Sequence, residues 1–535
     1  MSDDFDRMVD RIWGWMVDVS PELAVYVGEA PTRAWTDYTA EAIDERRGRR
    51  RAFLDEVRAV DPGGLDDERA MTHQVAEAYL AAEVGMDAFP HEAGLVDQMN
   101  GVHLGIAQSL DYMSLATPDD RARYVERLRA IPTLLDQVVE SLRRPESVAA
   151  RPPRVVLADV PRQIRALIPA DGPLARTDEA QAVVRDHVAP ALERFERFVT
   201  DELIPTARDE PGIGALPGGD AWYAAAIVQQ TSLAADPQEV HDVGLAEVDR
   251  IWAAMEDLAD GDVAAFRQRL DADESSYFAT PGEQLAAYRA LCKEVDATLW
   301  RVVTRLPRMP YGVDEMPAYM AESAPTAYYI PGAGGARRPG TFIVNSHDLR
   351  SRPSWRMVPL ALHEAVPGHH LQHGIADELD DLPPIRRHLG WNAYVEGWGL
   401  YAEHLGEELG LYRTPADRYG RLSFDMWRAA RLVVDTGLHA FGWSRDQAIA
   451  YLGEKTGLGH HDVVSEVDRY IAWPAQALGY KLGERVILDL RAEAEAALGE
   501  RFRPEPFHDV LLQRGPLPLP VLQEQVRRWV ATRIA

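Results

Sequence analysis

The stretch Leu362-His363-Glu364-Ala365-Val366-Pro367-Gly368-His369-His370-Leu371-Gln372 decides how the rest of this chain is interpreted. It places three imidazoles and a carboxylate within eight residues, and it carries a Pro-Gly pair in a pattern that otherwise predicts helix. A second cluster follows, Tyr394-Val395-Glu396-Gly397-Trp398-Gly399-Leu400-Tyr401-Ala402-Glu403. Together the two stretches predict a zinc site of the metallopeptidase kind, with the rest of the chain as its scaffold.

The histidine spacing departs from the common zinc-peptidase helix. That helix places two histidines four residues apart on one face, and the glutamate after the first histidine activates the bound water. Here Pro367 stands four residues after His363 and cannot ligate. In a regular helix His369 would point about 240° round from His363, whereas His370 would share its face roughly 10 Å further along the axis. Neither position suits a regular helix.

The Pro-Gly pair indicates that the helix is irregular. Pro367 lacks a backbone donor and its ring clashes with the carbonyl of His363, while Gly368 accepts unusual dihedral angles. A bulge of two extra residues would bring His369 to the position of the missing ligand. We therefore predict that His369 is the ligand, and that His370 is free to donate a hydrogen bond to substrate or to a carboxylate behind the site.

The third ligand is expected to be a carboxylate on a following helix. Glu396 and Glu403 are the candidates, and their seven-residue spacing places both on one helix face. Two histidines and one glutamate would leave a coordination position open for water, which is typical of catalytic zinc. Glu364 would then be the general base. The single cysteine, Cys292, excludes both an internal disulfide and a cysteine-based zinc site.

The composition narrows the choice of partners and compartment. The 535 residues carry a formal net charge of −28, which argues against nucleic acid and anionic membrane surfaces as partners. The N-terminal residues lack the basic and apolar segments of a secretory signal. No apolar run approaches the roughly 20 residues of a membrane span. We therefore expect a cytoplasmic protein.

Helical patterns dominate the chain. β-branched and aromatic residues at 326–330 and 340–345, separated by a Gly/Arg/Pro turn region, predict a hairpin before the metal motif. The sequence thus predicts a mainly α fold with one small β-sheet. Apolar residues recur at helical spacing over 46–60, 70–86, 121–142, 178–204, 238–260 and 281–306, and again after about residue 355.

A proline-rich stretch provides the predicted lobe boundary. Six prolines fall between residues 145 and 173, and such clusters are typical of loops and linkers. We therefore predict an N-terminal helical lobe over residues 1–150. A helical catalytic region is predicted over residues 174–535, with the metal motif at 363–403.

The two motifs resemble those of the bacterial family labelled domain of unknown function 885. That family is similar to thermostable metallocarboxypeptidases and thimet-type oligopeptidases, which are gluzincin-like. The resemblance implies a large helical, two-lobed zincin-like metallopeptidase fold with a deep cleft, and a Zn²⁺ cofactor. It matches Glu396 to the ligand glutamate and Gly368-His369 to the Gly-His of the peptidase helix, which supports His369. Further segments that resemble the family lie at 214–218, 241–251, 431–440 and 469–483.

Several downstream residues are candidates for substrate-side roles. Peptide hydrolysis needs a donor for the developing oxyanion, and Tyr480 resembles the region where the oligopeptidases carry such a tyrosine; a packed core tyrosine is the alternative. His439 lies four residues after Asp435 and could support a tetrahedral intermediate. Arginine can bind a substrate carboxylate through two parallel hydrogen bonds, although salt bridges on helices are the simpler interpretation. The arginines considered for this role are Arg428, Arg431 and Arg469.

Three functions compete at this stage. The first is a zinc-dependent peptidase that hydrolyses short peptides, in the manner of a carboxypeptidase or oligopeptidase. The second is a metal-dependent amide hydrolase that acts on a non-peptide metabolite. The third is a metal-free helical binding protein, against which the intact His363, Glu364 and Glu396 argue. A peptide or small amide is accordingly the expected partner.

Overall fold

The computed structural model describes residues 2–317, 321, 325–334 and 338–534. Over these residues the protein is mainly helical with one small sheet, which confirms the predicted fold class at that level. The α-helices of the described residues are, in chain order, α1 (Ser2–Val19), α2 (Pro21–Tyr26), α3 (Ala40–Arg58), α4 (Asp67–Met86), α5 (Val102–Asp111), α6 (Pro118–Arg143), α7 (Pro145–Ala149), α8 (Arg154–Leu157), α9 (Val160–Leu167), α10 (Asp178–Val183), α11 (Ala189–Phe198), α12 (Gly219–Thr231), α13 (Pro237–Leu258), α14 (Val263–Ala272), α15 (Pro281–Asp296), α16 (Met357–Glu364), α17 (His369–Asp377), α18 (Pro384–His388), α19 (Asn392–Glu408), α20 (Pro415–His439), α21 (Arg445–Thr456), α22 (His460–Ala472), α23 (Leu478–Leu498), α24 (Pro504–Leu512) and α25 (Leu519–Ile534).

The predicted long helix over 178–204 is one helical run with changes of pitch. Two π-helical segments, Val184–Val188 and Val199–Leu203, interrupt its α-helical turns. The first segment ends two residues before Pro190 and the second ends two residues before Pro205. The nitrogen of a proline carries no hydrogen to donate. Single π turns are the usual way in which a helix absorbs such a missing bond.

The sheet has three short strands in the order β1 (Tyr311–Glu315), β3 (Gly340–Val344), β2 (Ala327–Ile330). Strands β2 and β3 pair antiparallel, with Ala327 opposite Val344, which confirms the predicted hairpin strands. Part of the predicted turn, residues 335–337, lies outside the described residues. Strand β1 was not predicted; it pairs parallel with β3. Its sequence, with one glycine and two acidic residues, has little β propensity of its own.

The chain divides into two compact units. The first comprises residues 1–225 and Asp468–Trp473, and the second comprises residues 226–467 and 474–535. The proline-rich stretch, predicted as the boundary between residues 150 and 174, lies inside the first unit. Two of its six prolines begin helices, because proline suits the first helical turn: Pro145 starts α7 and Pro161 lies in the first turn of α9.

The second unit places a fully buried helix next to the sheet. Every residue of α16 is buried, and Leu360 and Ala361 share an apolar cluster with Phe342 and Val344 of β3. Helix α19 packs against both α16 and α23, and α20 packs against α13. A helix that is apolar on all sides is stable only inside such a core. The first histidine of the motif therefore lies inside the core, near the end of a rigid element.

Candidate metal centre

The chain leaves the helix between the two predicted histidine ligands. Helix α16 ends at Glu364 and α17 begins at His369, with Ala365 to Gly368 in non-helical conformation and a cis peptide bond between Val366 and Pro367. The N–H of His370 donates to the carbonyl of Ala365 at 2.9 Å, one residue further back than in an α-helix. The predicted bulge is thus a complete break of four residues between two helices.

Gly368 is required at this break by a close approach of the backbone to itself. A Cβ built on Gly368 would overlap the carbonyl oxygens of Leu362 and His363. No side chain can be accommodated against two backbone carbonyls of a buried helix, because such a helix has no room to move. The sequence therefore folds back tightly enough to return His369 to the end of α16.

Three side chains converge at this point. His363, His369 and Glu396 each offer one ligand atom, and these atoms lie within 4.8 Å of one another. Oε2 of Glu396 is 3.2 Å from Nε2 of His363 and 3.5 Å from Nε2 of His369. Among the described residues this is the only group of three or more His, Cys, Asp or Glu side chains with metal-binding spacing. We call it the His/Glu triad.

Glu403 holds the ring of His363 from behind. Its Oε1 lies 2.9 Å from Nδ1 of His363, so the carboxylate accepts the Nδ1 hydrogen and Nε2 faces Glu396. Arg428 contacts the same Oε1 at 3.3 Å. A carboxylate behind a histidine in this way is the usual support of a metal ligand, since it fixes the ring and its tautomer. The structure thus separates the two candidate glutamates: Glu396 faces the triad and Glu403 lies behind it.

The donor set fits a divalent cation of the zinc type. Two imidazoles and a carboxylate form an accepted zinc ligand set, with a further position left for water. Burial alone would lower the pKa of His363, but hydrogen bonds with Glu396 and Glu403 raise it to about 9. Burial opposes ionisation of Glu396, whereas hydrogen bonds from His363 and His369 hold its pKa well below the ordinary value. The triad therefore concentrates negative charge that calls for a positive counter-charge, which a proton or a metal ion can supply.

Glu364 sits next to the triad as a buried carboxylate. It is the last residue of α16, and burial raises the pKa of Glu364 above its ordinary value, although the neighbouring His363 and His369 oppose the shift. A carboxyl group with a raised pKa is suited to accept and return a proton near neutral pH.

His370 points away from the triad and toward the sheet. Its Nε2 donates to the carbonyl of Met309 at 3.1 Å, so its Nδ1 accepts from the hydroxyl of Tyr329 at 2.8 Å. Burial lowers the pKa of His370 to about 4, so the ring is neutral. The expected direct hydrogen bond to substrate does not fit this arrangement, because both ring nitrogens are occupied. His370 instead fixes the hydroxyl of Tyr329, a residue of β2 that no sequence signal had singled out.

Tyr480 packs against the triad, and the neighbouring Arg431 forms an ion pair with Glu466. The ring of Tyr480 stacks on His363 with centroids 6.1 Å apart. The guanidinium of Arg431 lies 4.3 Å from the Tyr480 ring centroid and 3.0 Å from Glu466. Tyr480 therefore contacts the triad with its aromatic ring, and Arg431 is a buried cation next to Tyr480.

The remaining two candidates are His439 and Arg469. His439 is fully buried as the last residue of α20. Arg469 belongs to the Asp468–Trp473 segment of the first unit. Their predicted catalytic and substrate-binding roles stay predictions.

The second motif supports the first through two residues that sequence reasoning had not assigned to the site. The indole N–H of Trp398 donates to the carbonyl of Pro367 at 2.8 Å. A Cβ on Gly399 would lie 2.7 Å from Cε1 and 2.8 Å from Nε2 of His363, so the imidazole packs directly on the backbone of α19. These contacts join residues about 30 positions apart, and no local pattern predicts them.

The fold and the triad describe a mainly helical protein with one candidate metal centre in the part of the chain that the structure describes. The chain belongs to the family of bacterial proteins of unknown function DUF885, whose model matches residues 21–526. This confirms the family resemblance seen in the motifs. None of the curated proteins compared with it matches.

Two solved structures resemble this chain over nearly their whole length. The "putative lipoprotein from Colwellia psychrerythraea" is 29% identical, with 96% of each chain covered and a TM-score of 0.89. A "putative lipoprotein of unknown function from Shewanella oneidensis" is 18% identical, with 97% of this chain and 98% of that chain covered and a TM-score of 0.74, which shows the fold alone. In the described part of this chain, the helices are all too short or too polar to span a bilayer.

Proposed function

We propose that this protein is a zinc-dependent metallopeptidase that hydrolyses short peptides, with the two-lobed zincin-like architecture that its motifs resemble. The observation that carries the proposal is the His/Glu triad, in which His363, His369 and Glu396 converge although a four-residue break separates the histidines. Two imidazoles and a carboxylate that converge in this way, with a position left for water, form the ligand set of a catalytic zinc site.

The donor atoms of the triad would hold the metal ion. Bound Zn²⁺ would act as a Lewis acid and lower the pKa of a coordinated water. Glu364 accepts the proton from the attacking water and returns it to the leaving amine. Glu403 keeps His363 in the tautomer whose Nε2 faces the triad, through its 2.9 Å hydrogen bond to Nδ1. Tyr480, stacked on His363, is the candidate donor to the developing oxyanion.

The sheet supports a peptide as the substrate. Among the residues that the structure describes, strand β2 pairs only with β3 and is an edge strand, so its outer backbone groups can bind an extended chain by strand addition. The ring of Tyr329, in the middle of this strand, lies 6.4 Å from that of His369 between centroids. A peptide laid along β2 would therefore pass next to the triad.

Metal analysis and a peptide-library digest test the proposal. The purified protein should contain close to one equivalent of zinc and should cleave short peptides. Glu364→Gln should retain the zinc and lose several orders of magnitude in rate, because it keeps the shape of the side chain but cannot accept a proton. Glu315→Gln, an exposed carboxylate of β1, is the matched control and should retain both.

The outcomes separate the competing functions. A protein that binds no zinc would contradict the proposal and favour a metal-free binding function. Bound zinc without cleavage of any library peptide would redirect the search to non-peptide amides. Loss of zinc in Glu364→Gln would make Glu364 a ligand and overturn its assignment as the base.

A further inference from the structure

The first unit contains a cavity that takes no part in the proposed chemistry. It has a volume of about 330 Å³ and is formed by α1 to α4, the segment between α2 and α3, and the segment that follows α4. Cavities that bind small molecules are typically about 300–1,000 Å³ and mostly apolar, with a few polar groups that fix orientation. The apolar wall of this one consists of Trp15, Met16, Val19, Leu23, Ile43 and Leu95.

Most of the charges that line the cavity are already matched. Arg47 forms an ion pair with Glu92 at 2.8 Å and lies 3.9 Å from Asp87. Arg50 pairs with Asp87 and lies 3.8 Å from Glu83. The three carboxylates are therefore each held by one of two arginines, and they are not available to a ligand.

Arg46 is the exception. It lines the cavity and donates to the backbone carbonyl of Asp37, but no carboxylate of the described residues lies within ion-pair distance of it. Burial is the main influence on this guanidinium, and it lowers the pKa of Arg46. The guanidinium is half-buried and contacts no carboxylate of the described residues, so its remaining N–H groups can bind an anionic ligand. Its formal charge also makes the lining electrically balanced, three arginines against three carboxylates, so the cavity does not repel a single anion.

The hydroxyl of Tyr38 adds a second donor to the lining of the cavity. The ring centroid of Tyr38 lies 5.9 Å from the Arg46 guanidinium carbon. Tyr38 also lines the cavity, and its hydroxyl has no hydrogen-bond partner within the described part of the chain. A guanidinium and a phenol hydroxyl in one cavity with a largely apolar wall match a carboxylate that carries an apolar body.

We propose that this cavity binds a small apolar carboxylate, with the carboxylate on Arg46 and Tyr38 and the apolar body against Trp15 and Ile43. The proposal does not depend on the metal centre or on peptidase activity.

Isothermal titration calorimetry on the full-length protein tests it, with 3-phenylpropionate and hexanoate as probes and their primary amides as neutral partners of the same shape. The carboxylates should bind and the amides should bind at least tenfold more weakly. Arg46→Gln should weaken carboxylate binding at least tenfold, and Arg46→Lys should restore part of it. Arg51→Gln, an exposed arginine of the same helix, should bind as the unchanged protein does.

A carboxylate could also bind at the metal centre, so the same titration is made with His369→Ala. Binding that survives His369→Ala and fails in Arg46→Gln supports the cavity. Binding lost in His369→Ala, amides that bind as tightly as carboxylates, equal binding by the Arg46→Gln and Arg51→Gln variants, or no binding of either probe would each overturn the proposal. If Arg46→Gln does not fold, as judged by circular dichroism, the acid-versus-amide comparison and Arg46→Lys still decide.

Discussion

The adjacent histidines of α17 allow a direct test of the metal centre. His369→Ala and His370→Ala each remove one imidazole from neighbouring, similarly buried positions, 6% and 3% exposed. His369 faces Glu396 at 3.5 Å, whereas His370 faces Tyr329 and Met309 at 2.8 and 3.1 Å. The two variants therefore make comparable cavities and differ in whether a proposed ligand is lost.

The expected sizes follow from these contacts. His370→Ala removes two buried hydrogen bonds, each contributing about 1 kcal/mol to the free energy of unfolding. Its effect on zinc should be no more than that of a group behind a ligand, about 10–100-fold in affinity, which is about 1.4–2.8 kcal/mol. His369→Ala removes one of three donors, so its loss of zinc affinity should exceed that range.

Zinc affinity is measured by competition with a chromophoric chelator, and the metal content of the purified variants is measured by mass spectrometry. Thermal unfolding of metal-free protein checks that both variants fold. If His370→Ala emptied the site while His369→Ala kept it filled, the assignment of the triad would be refuted. Equal losses in two folded variants would also refute it, because the structure separates the two rings.

Two further predictions concern the packing around His363 and the protonation of the buried His103. Gly399→Ala should weaken zinc binding and cost about 1–3 kcal/mol of stability by overpacking, because the new Cβ would lie 2.7 Å from Cε1 of His363. The control is Gly390→Ala, where a Cβ meets nothing within 4 Å. Unchanged zinc affinity in Gly399→Ala would contradict the packing argument. Burial lowers the pKa of His103 to about 4. Between about pH 6.5 and 4 the unfolded chain therefore binds a proton that the folded chain does not bind. The free energy of unfolding falls as the pH falls through this range, by at most about 1.4 kcal/mol per pH unit from this residue. His103→Gln should flatten that slope in chemical denaturation between pH 7 and 5, whereas the exposed His187→Gln should leave it unchanged; identical slopes for both variants would contradict it.

Local sequence was sufficient for most of the secondary structure and for the choice of the two histidines proposed as ligands. The helical pattern over residues 70–86 corresponds to α4, Asp67–Met86, and the two β-rich segments correspond to β2 and β3. These elements are specified by periodicity and turn residues within one stretch of chain. His363, His369 and Glu396 converge as the predicted ligand set would; helix geometry and the Pro-Gly pair favoured His369, and the family resemblance selected Glu396 over Glu403.

Features that depend on distant partners were not predictable. Strand β1 has a weak sequence and is held by its parallel pairing with β3. The partners of His370 come from β2 and from Met309, about 40 and 60 residues earlier in the chain. The division of the chain at residues 225 and 226 places the Asp468–Trp473 segment with the N-terminal half. Such long-range choices are decided by packing in the folded chain, and periodicity carries no information about them.

The break between the histidines accounts for part of the second motif. In a regular zinc-peptidase helix the carbonyls between the two ligands are bonded within the helix. Here the chain leaves the helix, and the carbonyl of Pro367 receives the indole N–H of Trp398 instead, at 2.8 Å. A buried carbonyl without a donor would cost about 1–3 kcal/mol. Because Trp398 and Gly399 follow Glu396 on α19, the helix that brings the proposed third ligand also bonds the break and makes room for His363. The unusual histidine spacing and the Glu-Gly-Trp-Gly sequence are therefore parts of one structural arrangement.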